Sequence, residues 1–388
     1  MKVLRQPPAW SPLTLEALLS GFQAACLTDG HVAREKLDQE LRAAYHPLNL
    51  HLTDSGTSAL TLALQAARAV TGAPVALPAY CCYDVATAAV GANTPFFLYD
   101  VDPTNLSPDI RSLRRALEGG ARSILVAHLY GVPADLAPVL ALGSEFEAVV
   151  IEDAAQGSGC EWNGRPAGAF GGLGVLSFGR GKGVTGGKGG ALLINDARLL
   201  EASRSAWEAA SGPRAPRGSF KDYLLLTAQW LLGRPALYWL PAALPFLGLG
   251  ETKYRSPRPI GGFSALSAGV LNRTMRLVAA EVEVRRKNAA RLRGELHNVA
   301  VMRVPPTWEA GWLRFPVVLQ RTAEDVLTSY HFRAGVLRGY PSPLAALDGF
   351  GERRLNRQDE FPGASVLAER LATIPTHRFV RSAKSPAF

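Results

Sequence analysis

The chain has 388 residues, of which 47% are hydrophobic and 19% are charged. This length and composition exclude a small disulfide module and a disordered or fibrous protein, and they are typical of a globular protein of about two domains. The 42 Lys and Arg residues exceed the 33 Asp and Glu residues, which gives a net charge of +9. Such a charge favours anionic partners, among them phosphorylated small molecules, membrane surfaces and nucleic acids.

The N-terminal sequence and the cysteines predict neither export nor a metal site. Pro7, Pro8 and Pro12 interrupt the sequence before the apolar core of a signal peptide can form, so we expect a cytoplasmic protein. The cysteines form no CxxC pair and no Cys/His cluster with metal-ligand spacing, so we expect reduced thiols and no metal. The four cysteines are Cys26, Cys81, Cys82 and Cys160.

Short apolar runs alternate with helical stretches over residues 74–195, after a segment of helical spacing over residues 1–50. This alternation predicts an α/β fold with a mostly parallel sheet that is covered on both faces. Because such sheets bind ligands at the carboxyl ends of their strands, the chemistry is expected there. The predicted strands are PVAL (74–77), PFFLY (95–99), SILVA (123–127), AVVIE (148–152), GVLSF (174–178) and GALLI (190–194).

A polar and basic composition over residues 251–262 predicts a boundary between a large domain, 1–255, and a smaller α+β domain, 256–388. A long amphipathic helix over residues 264–296 is expected to follow this boundary.

The stretch from Tyr223 to Gly250 is apolar apart from Arg234. Its first uncharged run, residues 223–233, is shorter than the roughly 18 to 20 residues that a membrane-spanning helix needs. Two uses remain open: burial in a dimer or domain core, and shallow insertion into a membrane interface. The cations just upstream, which would meet anionic headgroups in the second use, are Arg214, Arg217 and Lys221.

The segment SGTSAL, with Ser55, Gly56 and Thr57, is expected to open a helix. Small residues let a ligand approach the backbone closely, and free N–H groups at a helix N-terminus bind phosphate. An ordinary Ser/Thr helix cap is the alternative explanation of this segment.

A second candidate site lies in AVVIEDAAQ, where a buried strand ends in Glu152 and Asp153. A carboxylate that faces a cavity at a strand end can keep a pyridinium nitrogen protonated, which maintains the electron sink of pyridoxal phosphate. Capping of a following helix is the alternative role for Asp153.

A third candidate is Lys182, in the glycine-rich loop of LSFGRGKGVTGGKGG. A lysine that forms a Schiff base needs a carbonyl beside it, and small neighbours give a planar cofactor room to pivot. Ser177 is placed to add a hydroxyl to a phosphate site. A nucleotide P-loop is disfavoured, because Gly183 stands where GxxxxGK[ST] requires Ser or Thr.

These segments together resemble the DegT/DnrJ type of pyridoxal-phosphate-dependent sugar aminotransferases, in the aspartate aminotransferase fold class. The resemblance implies fold type I, with a mostly parallel sheet in the large domain, and a homodimer with residues of both chains around each cofactor. The matching segments follow the family's order across nearly the whole chain. They are SGTSAL, LPAYCCYDVATAAVGANTPFFLYDVD, VAHLYGVPADL, the block over residues 149–190, SALSAGVL with RRKNAARL, YPSPL and ATIPTHR.

The resemblance implies roles for single residues. Lys182 would carry the cofactor, Asp153 would pair with its pyridine nitrogen, and Gln156 would lie near the ring, with a helix-capping amide as its alternative. The phosphate contacts that the resemblance implies are Gly56, Thr57 and Ser177.

An aromatic side chain of the PAYCCYD segment is expected to stack on the cofactor ring. Tyr80 is the first choice and Tyr83 the second, with core packing as the alternative for both, and Cys82 is a candidate for the position at which relatives have an aromatic residue. His128 is interpreted as a structural histidine at a strand end.

The chain departs from the family on the substrate side. Lys188 stands where many relatives have Glu, and the stretch before the long helix contains Arg255 and Arg258 but no Asn. Together with Arg180, these three cations are candidates for binding the phosphates of a substrate, and solvated surface charge is the alternative.

The implied function is transfer of an amino group, from a donor expected to be glutamate, to a keto-sugar carried on a nucleotide diphosphate, in cell-surface polysaccharide or secondary-metabolite biosynthesis. The alternatives are an aminotransferase that acts on a lipid-linked or other substrate, and a catalytically idle scaffold or regulator that binds the cofactor. A sugar dehydratase is disfavoured, because relatives with that activity can replace the lysine with His. No nucleic-acid partner is expected, because the basic residues are spread out and no binding module accompanies them.

Overall fold

The computed structural model describes residues 5–27, 30–210, 216, 218–244, 252–348, 350–380, 386 and 388. The helices of this part of the chain are α1 (Leu15–Cys26), α2 (Gly30–Tyr45), α3 (Gly56–Thr71), α4 (Tyr83–Gly91), α5 (Ile110–Glu118), α6 (Ala137–Glu145), α7 (Leu200–Ala209), α8 (Phe220–Leu232), α9 (Trp239–Ala242), α10 (Ala265–Thr274), α11 (Val278–Glu295), α12 (Ala323–Val326), α13 (Ser329–Arg333) and α14 (Pro362–Arg370). The strands are β1 (Asn49–Thr53), β2 (Val75–Pro78), β3 (Phe96–Tyr99), β4 (Ser123–Ala127), β5 (Val149–Asp153), β6 (Glu161–Trp162), β7 (Arg165–Pro166), β8 (Leu173–Ser177), β9 (Gly190–Ile194), β10 (Val299–Val301), β11 (Trp308–Glu309), β12 (Arg314–Leu319), β13 (Leu337–Arg338) and β14 (Leu371–Pro375).

The large sheet has seven strands in the order β1-β9-β8-β5-β4-β2-β3. The pairs from β8 through β3 are parallel, whereas β9 is antiparallel to both β8 and β1. The predicted α/β fold with a mostly parallel sheet is therefore confirmed. All six predicted strands are present, with each boundary within one residue of its prediction, because strands buried on both faces are continuous apolar runs.

The helical interpretation of residues 1–50 is wrong at its end. Helix α2 ends at Tyr45, and β1 begins at Asn49 as the antiparallel edge of the large sheet. The sequence NLHLT has no long apolar run like those that identified the other strands. Its side chains also alternate only in part between buried and partly exposed, so neither strand signal is clear.

The small sheet has the order β10-β12-β14-β13 and is antiparallel throughout, as expected of an α+β unit. The helix predicted over 264–296 is interrupted by a 3-10 turn at Met275–Leu277, which separates α10 from α11. Helix α10 packs on α1 through Leu266 and Val270 and also contacts α2. The division at residue 255 stays a prediction, and α10, which follows it, lies against the N-terminal helices.

The apolar stretch that begins at Tyr223 forms α8 and α9, and its last residues, 245–250, lie outside the described part, as do Arg214 and Arg217. Leu226 is the buried side chain of α8, whereas Phe220, Leu224 and Trp239 are 76%, 51% and 54% exposed. These three side chains are therefore not buried in the core of this chain, and burial in a dimer core stays a prediction. No helix among the described residues is long and apolar enough to cross a membrane.

Strand order brings the predicted site residues to one edge of the large sheet. Asp153 ends β5 and pairs with Ala127 at the end of β4 and with Val175 in β8. Ser177 ends β8 and pairs with Gly190, and an isolated bridge joins Gly189 to Ser55 in front of α3. The edge therefore combines the carboxyl ends of β4, β5 and β8 with the N-terminus of α3.

Candidate active site

A cleft of about 1140 Å³ opens at this edge of the sheet. Besides strand ends, its walls include the segment before α1, the loop around Lys182 and one side of α8. Tyr80 and Tyr83 are absent from its lining. The predicted site residues that do line it are Gly56, Thr57, Asp153, Gln156, Ser177, Arg180, Lys182, Lys188, Arg255 and Arg258.

The N-terminus of α3 forms a concave group of hydrogen-bond donors. Ser55 is the N-cap and accepts a hydrogen bond from the N–H of Ser58 at 3.1 Å. Gly56 and Thr57 are the first two residues of the helix, so their N–H groups have no acceptor within it. A Cβ at Gly56 would lie 2.7 Å from the Cβ of Ser177, so only glycine allows this approach. Ser55 is therefore a helix cap, and the N–H groups of the first turn are of the kind that can bind an anion.

Asp153 is half-buried at the end of β5, and its Oδ1 accepts a hydrogen bond from the N–H of Ala155 at 3.0 Å. Burial raises the pKa of Asp153 above its usual value, and the positive charge of Lys182 opposes this rise. Residues 154–160 form turns and no helix, so the alternative role of capping a helix does not apply to Asp153 or to Gln156. The carboxylate and the lysine are electrostatically coupled inside the cleft.

Glu152, the neighbour of Asp153, lies on the other face of β5 and is fully buried. Its carboxylate accepts hydrogen bonds from the N–H groups of Gly168, Phe170 and Gly171 at 2.8, 2.6 and 2.6 Å. Sequence analysis assigned no role to Glu152. The available signal was the pairing of an acid inside a buried strand with a glycine-rich segment a few residues downstream.

His128 is held by this buried carboxylate. Its Nδ1 accepts a hydrogen bond from the N–H of Ala134 at 3.1 Å, so the proton is on Nε2, which donates to Glu152 at 3.1 Å. Both ring nitrogens therefore have partners, which agrees with the interpretation of His128 as a structural residue.

Lys182 lies in a loop that is fixed by close packing. Its carbonyl accepts a hydrogen bond from the hydroxyl of Ser11 at 2.5 Å. A Cβ at Gly187 would lie 2.5 Å from the side chain of Leu226, and one at Gly189 would lie 2.2 Å from the ring of Phe263. These two glycines therefore let the loop pack against α8 and Phe263.

The stacking prediction for Tyr80 and Tyr83 needs correction, because both side chains pack in the core. The hydroxyl of Tyr80 accepts a hydrogen bond from the N–H of Tyr340 at 3.0 Å, and that of Tyr83 lies 2.7 Å from the hydroxyl of Ser342. Cys82, which stands between them, lines the cleft instead. The turn that precedes α4 points both tyrosines into the core and leaves the smaller side chain at the cleft.

The Gln156 side chain bridges the cleft wall to the small domain. Its Oε1 accepts a hydrogen bond from the N–H of Tyr130 at 2.9 Å, and its Nε2 donates to the hydroxyl of Tyr340 at 2.7 Å. Gln156 thus lines the cleft in a fixed orientation.

The four predicted substrate cations all line the cleft, and all are exposed. Lys188 forms an ion pair with Asp222 of α8 at 2.5 Å. Arg180, Arg255 and Arg258 form no ion pair or side-chain hydrogen bond with the described residues. Three of the four cations are therefore open to an anionic ligand.

A protein-family model for the DegT/DnrJ/EryC1/StrS aminotransferases matches residues 15–219, which is more than half of the chain. The chain belongs to the DegT/DnrJ/EryC1/StrS aminotransferase family. The cofactor of this family is pyridoxal phosphate. The matched region includes the α3 N-terminus, Asp153 and Lys182, and it ends before Arg255 and Arg258.

Among curated members of this family, the L-glutamine:2-deoxy-scyllo-inosose aminotransferase of Micromonospora echinospora is 31% identical over 198 residues, covering 50% of this chain and 47% of that protein. The UDP-N-acetyl-3-dehydro-alpha-D-glucosamine 3-aminotransferase of Acidithiobacillus ferrooxidans is 38% identical over 148 residues, covering 37% of this chain and 40% of that protein. The chain spans about half the length of the curated relatives it matches.

The solved structure of GDP-4-keto-6-deoxy-D-mannose-3-dehydratase from E. coli, with bound hydrated PLP, superimposes with a TM-score of 0.73 at 16% identity. The match covers 96% of this chain and 95% of that one. At this identity the likeness concerns the fold, and it confirms fold type I along nearly the whole chain.

Proposed function

We propose that this protein is a pyridoxal-phosphate-dependent aminotransferase that moves an amino group from glutamate to a keto-sugar carried on a nucleotide diphosphate. One observation carries the proposal: Lys182, Asp153 and the N-terminus of α3 share a single cleft. The two curated relatives are an inosose aminotransferase and a UDP-sugar aminotransferase, which supports a polyhydroxylated cyclic ketone as acceptor. We further propose a cytoplasmic homodimer that serves polysaccharide or secondary-metabolite biosynthesis.

The residues of the cleft fit the cofactor. The free N–H groups of Gly56 and Thr57, with the hydroxyl of Ser177, would bind its phosphate. The carboxylate of Asp153, half-buried at the end of β5, would keep a proton on the pyridine nitrogen, because the positive charge of the protonated ring would offset the cost of burying the carboxylate. Lys182 would hold the cofactor covalently through its Nζ.

When bound, pyridoxal phosphate supplies an electron sink for the carbon that loses a proton. Lys182, once released, would use its Nζ to take that proton from the carbon bearing the donor's amino group and would return it to the cofactor carbon bound to the same nitrogen. Glu152 and His128 hold the end of β5 through their hydrogen bonds, so the carboxylate of Asp153 keeps its place. Arg180, Arg255 and Arg258 would bind the phosphates of the acceptor, since they have no other side-chain partner among the described residues.

Incubation with glutamate tests the proposal directly. The wild-type protein should lose the visible absorbance of its bound cofactor as glutamate is consumed, and addition of a nucleotide-linked keto-sugar should restore it. Lys182→Ala should abolish both changes, and Lys188→Ala, in the same loop but paired with Asp222, should retain them.

The controls separate the alternatives. If the protein binds the cofactor but its absorbance does not respond to glutamate or glutamine, the protein is a catalytically idle scaffold or regulator. Loss of a hydroxyl from the sugar without gain of nitrogen would indicate a dehydratase. A response to glutamine alone would replace glutamate as the donor and keep the reaction class.

A further inference from the structure

Apolar side chains stand exposed in stripes on two helices that touch each other. Leu15, Leu19 and Phe22 follow one side of α1, and Phe220, Leu224 and Leu231 follow one side of α8, in both cases at helical spacing. The rings of Phe22 and Tyr223 join the two helices, with centroids 5.6 Å apart. We call these six side chains the apolar face. Beyond the end of α8, Trp239 and Leu240 of α9 add further exposed apolar surface.

The apolar face is not part of the hydrophobic core of this chain. Helices α1 and α8 already bury a second set of side chains, which includes Leu18 and Leu226, against Leu266 and Val270 of α10. The exposed side chains of the face range from 42% for Phe22 to 76% for Phe220. Two helices that keep apolar side chains in water on one side and bury others on the opposite side indicate a contact with a second body.

The charges around the apolar face are mainly positive. Lys221 and Arg234, at the two ends of α8, are both exposed, and Arg234 is the single charge of the sequence between residues 223 and 250. The guanidinium of Arg234 lies 4.7 Å from the ring centroid of Trp230. A long basic side chain at a helix end can place its carbon chain along apolar surface and keep its charge in water.

The acids near the face are already paired within the chain. Asp222 is bound by Lys188 at 2.5 Å, and Glu16 is bound by Arg273 at 3.1 Å. A two-fold contact through this face would therefore bring together Lys221 and Arg234 of two copies, which form no ion pair with the described residues, without new acids between them. An anionic surface is the better complement.

We infer that the apolar face docks on an anionic lipid bilayer, with α1 and α8 lying in the interface and Lys221 and Arg234 meeting the headgroups. This inference goes beyond the proposed function and does not depend on it. Helix α8 has 13 residues and no described helix can cross a bilayer, so the contact is peripheral.

Docking would orient the cleft. Leu225, Trp230 and Leu232, on the other side of α8, line the cleft, so this helix separates the apolar face from the site by its own diameter. In a protein bound to the bilayer through the apolar face, the mouth of the cleft would lie beside the headgroups. A substrate with a lipid tail could then present its polar end to Lys182 without leaving the bilayer.

Vesicle flotation of the full-length, cofactor-loaded protein tests the inference. Vesicles of about one-third phosphatidylglycerol in phosphatidylcholine should carry the wild type upward at low salt, and pure phosphatidylcholine should carry much less. Leu224→Gln combined with Leu231→Gln should reduce the bound fraction about tenfold. The double variant Lys221→Gln, Arg234→Gln should lose mainly the preference for anionic vesicles.

The matched control is Tyr330→Ser with Leu355→Gln, which removes side chains of similar exposure, 52% and 49%, outside the apolar face. It should float as the wild type does. Absence of flotation at low salt, or flotation that the leucine variant leaves unchanged, would overturn the inference. A change of molar mass in light scattering with the leucine variant would also overturn it and would assign the face to a contact between copies of this chain.

Discussion

The two halves of the cleft are built in different ways. The half with Asp153, Gly56 and Ser177 is fixed by sheet pairing and by a close approach of Gly56 to Ser177, which leaves no room for a Cβ at residue 56. The half with Arg180, Arg255 and Arg258 consists of exposed cations that form no side-chain hydrogen bond with the described residues. Contacts within the chain thus fix the first half, which we propose holds the cofactor, whereas no such side-chain contact fixes the three arginines of the second half, which we propose meets the acceptor.

Asp153→Asn gives the largest effect that we expect in the cofactor half. The amide cannot keep the pyridine nitrogen charged, so turnover should fall on the order of 10³-fold while cofactor affinity stays close to that of the wild type. Single-turnover absorbance with glutamate measures this loss. Asp84→Asn, which changes another acid of the cleft lining, is the control. Wild-type turnover in Asp153→Asn would remove the role assigned to this carboxylate.

Glu152→Gln tests whether the rigid half depends on the buried neighbour of Asp153. Its amide group can no longer accept hydrogen bonds from all three backbone N–H groups, so the free energy of unfolding should fall by about 3 kcal/mol. Urea unfolding of the cofactor-free protein measures the change. Glu145→Gln, which breaks an exposed pair with Arg114, should lower the free energy of unfolding far less. Equal effects of the two substitutions would contradict the prediction.

Gly56→Ala tests the close approach of α3 to β8. The added methyl would lie 2.7 Å from the Cβ of Ser177 and should shift the helix start, which weakens cofactor binding about 10- to 100-fold. Ser177→Gly in the same chain removes the contact and should recover part of the affinity. Gly294→Ala has open space around its new Cβ and should bind cofactor normally. Fluorescence titration with cofactor separates these cases.

Arg255→Ala and Arg258→Ala test the exposed half. Each should raise KM for a phosphate-bearing acceptor about three- to tenfold and leave kcat unchanged, because a single exposed charge contributes little and is screened by salt. Lys188→Ala should change KM less, since Lys188 already forms an ion pair with Asp222. A loss of kcat in either arginine variant would move that residue into the chemistry.

The smallest effect concerns the pH dependence of stability. Burial raises the pKa of Asp153 above that of the unfolded chain, so the folded state holds its proton more tightly. Ionisation of Asp153 therefore costs folded stability, and the cofactor-free wild type should lose stability relative to Asp153→Asn as pH rises above about 3.9, the ordinary pKa of an aspartate. Thermal unfolding of both proteins at a series of pH values above this point measures the difference. A difference that grows in favour of the wild type would show that Lys182 outweighs the burial.

The rigid half was largely predictable from sequence, for physical reasons that can be named. Buried parallel strands are continuous apolar runs, so β4 and β9 were predicted at their observed bounds. Residues at the ends of such strands must meet at one edge, which brings Asp153 and Ser177 to the same cleft as Lys182. Their assignment to a cofactor remains a proposal that the predictions above test.

Other features depended on side-chain direction, which spacing does not give. The turn before α4 decides whether Tyr80, Cys82 or Tyr83 faces the cleft, and an extra residue in such a turn rotates every following side chain. Glu152 was overlooked because its partners are mostly backbone N–H groups, whose only trace in the sequence is the glycine-rich segment that carries them. The exposure of α8 was not predictable either, because an apolar helix is equally suited to a core and to a contact with another body.

The N-terminal wall of the cleft has a consequence for biosynthesis. Pro7 lines the cleft, and its carbonyl accepts a hydrogen bond at 2.8 Å from Nε2 of His377, which lies 370 residues later in the chain. At about 5 to 20 residues per second of translation, roughly 20 to 75 s separate the synthesis of these two residues. A nascent chain therefore carries this wall of the cleft without its hydrogen bond to His377 until that residue leaves the ribosome.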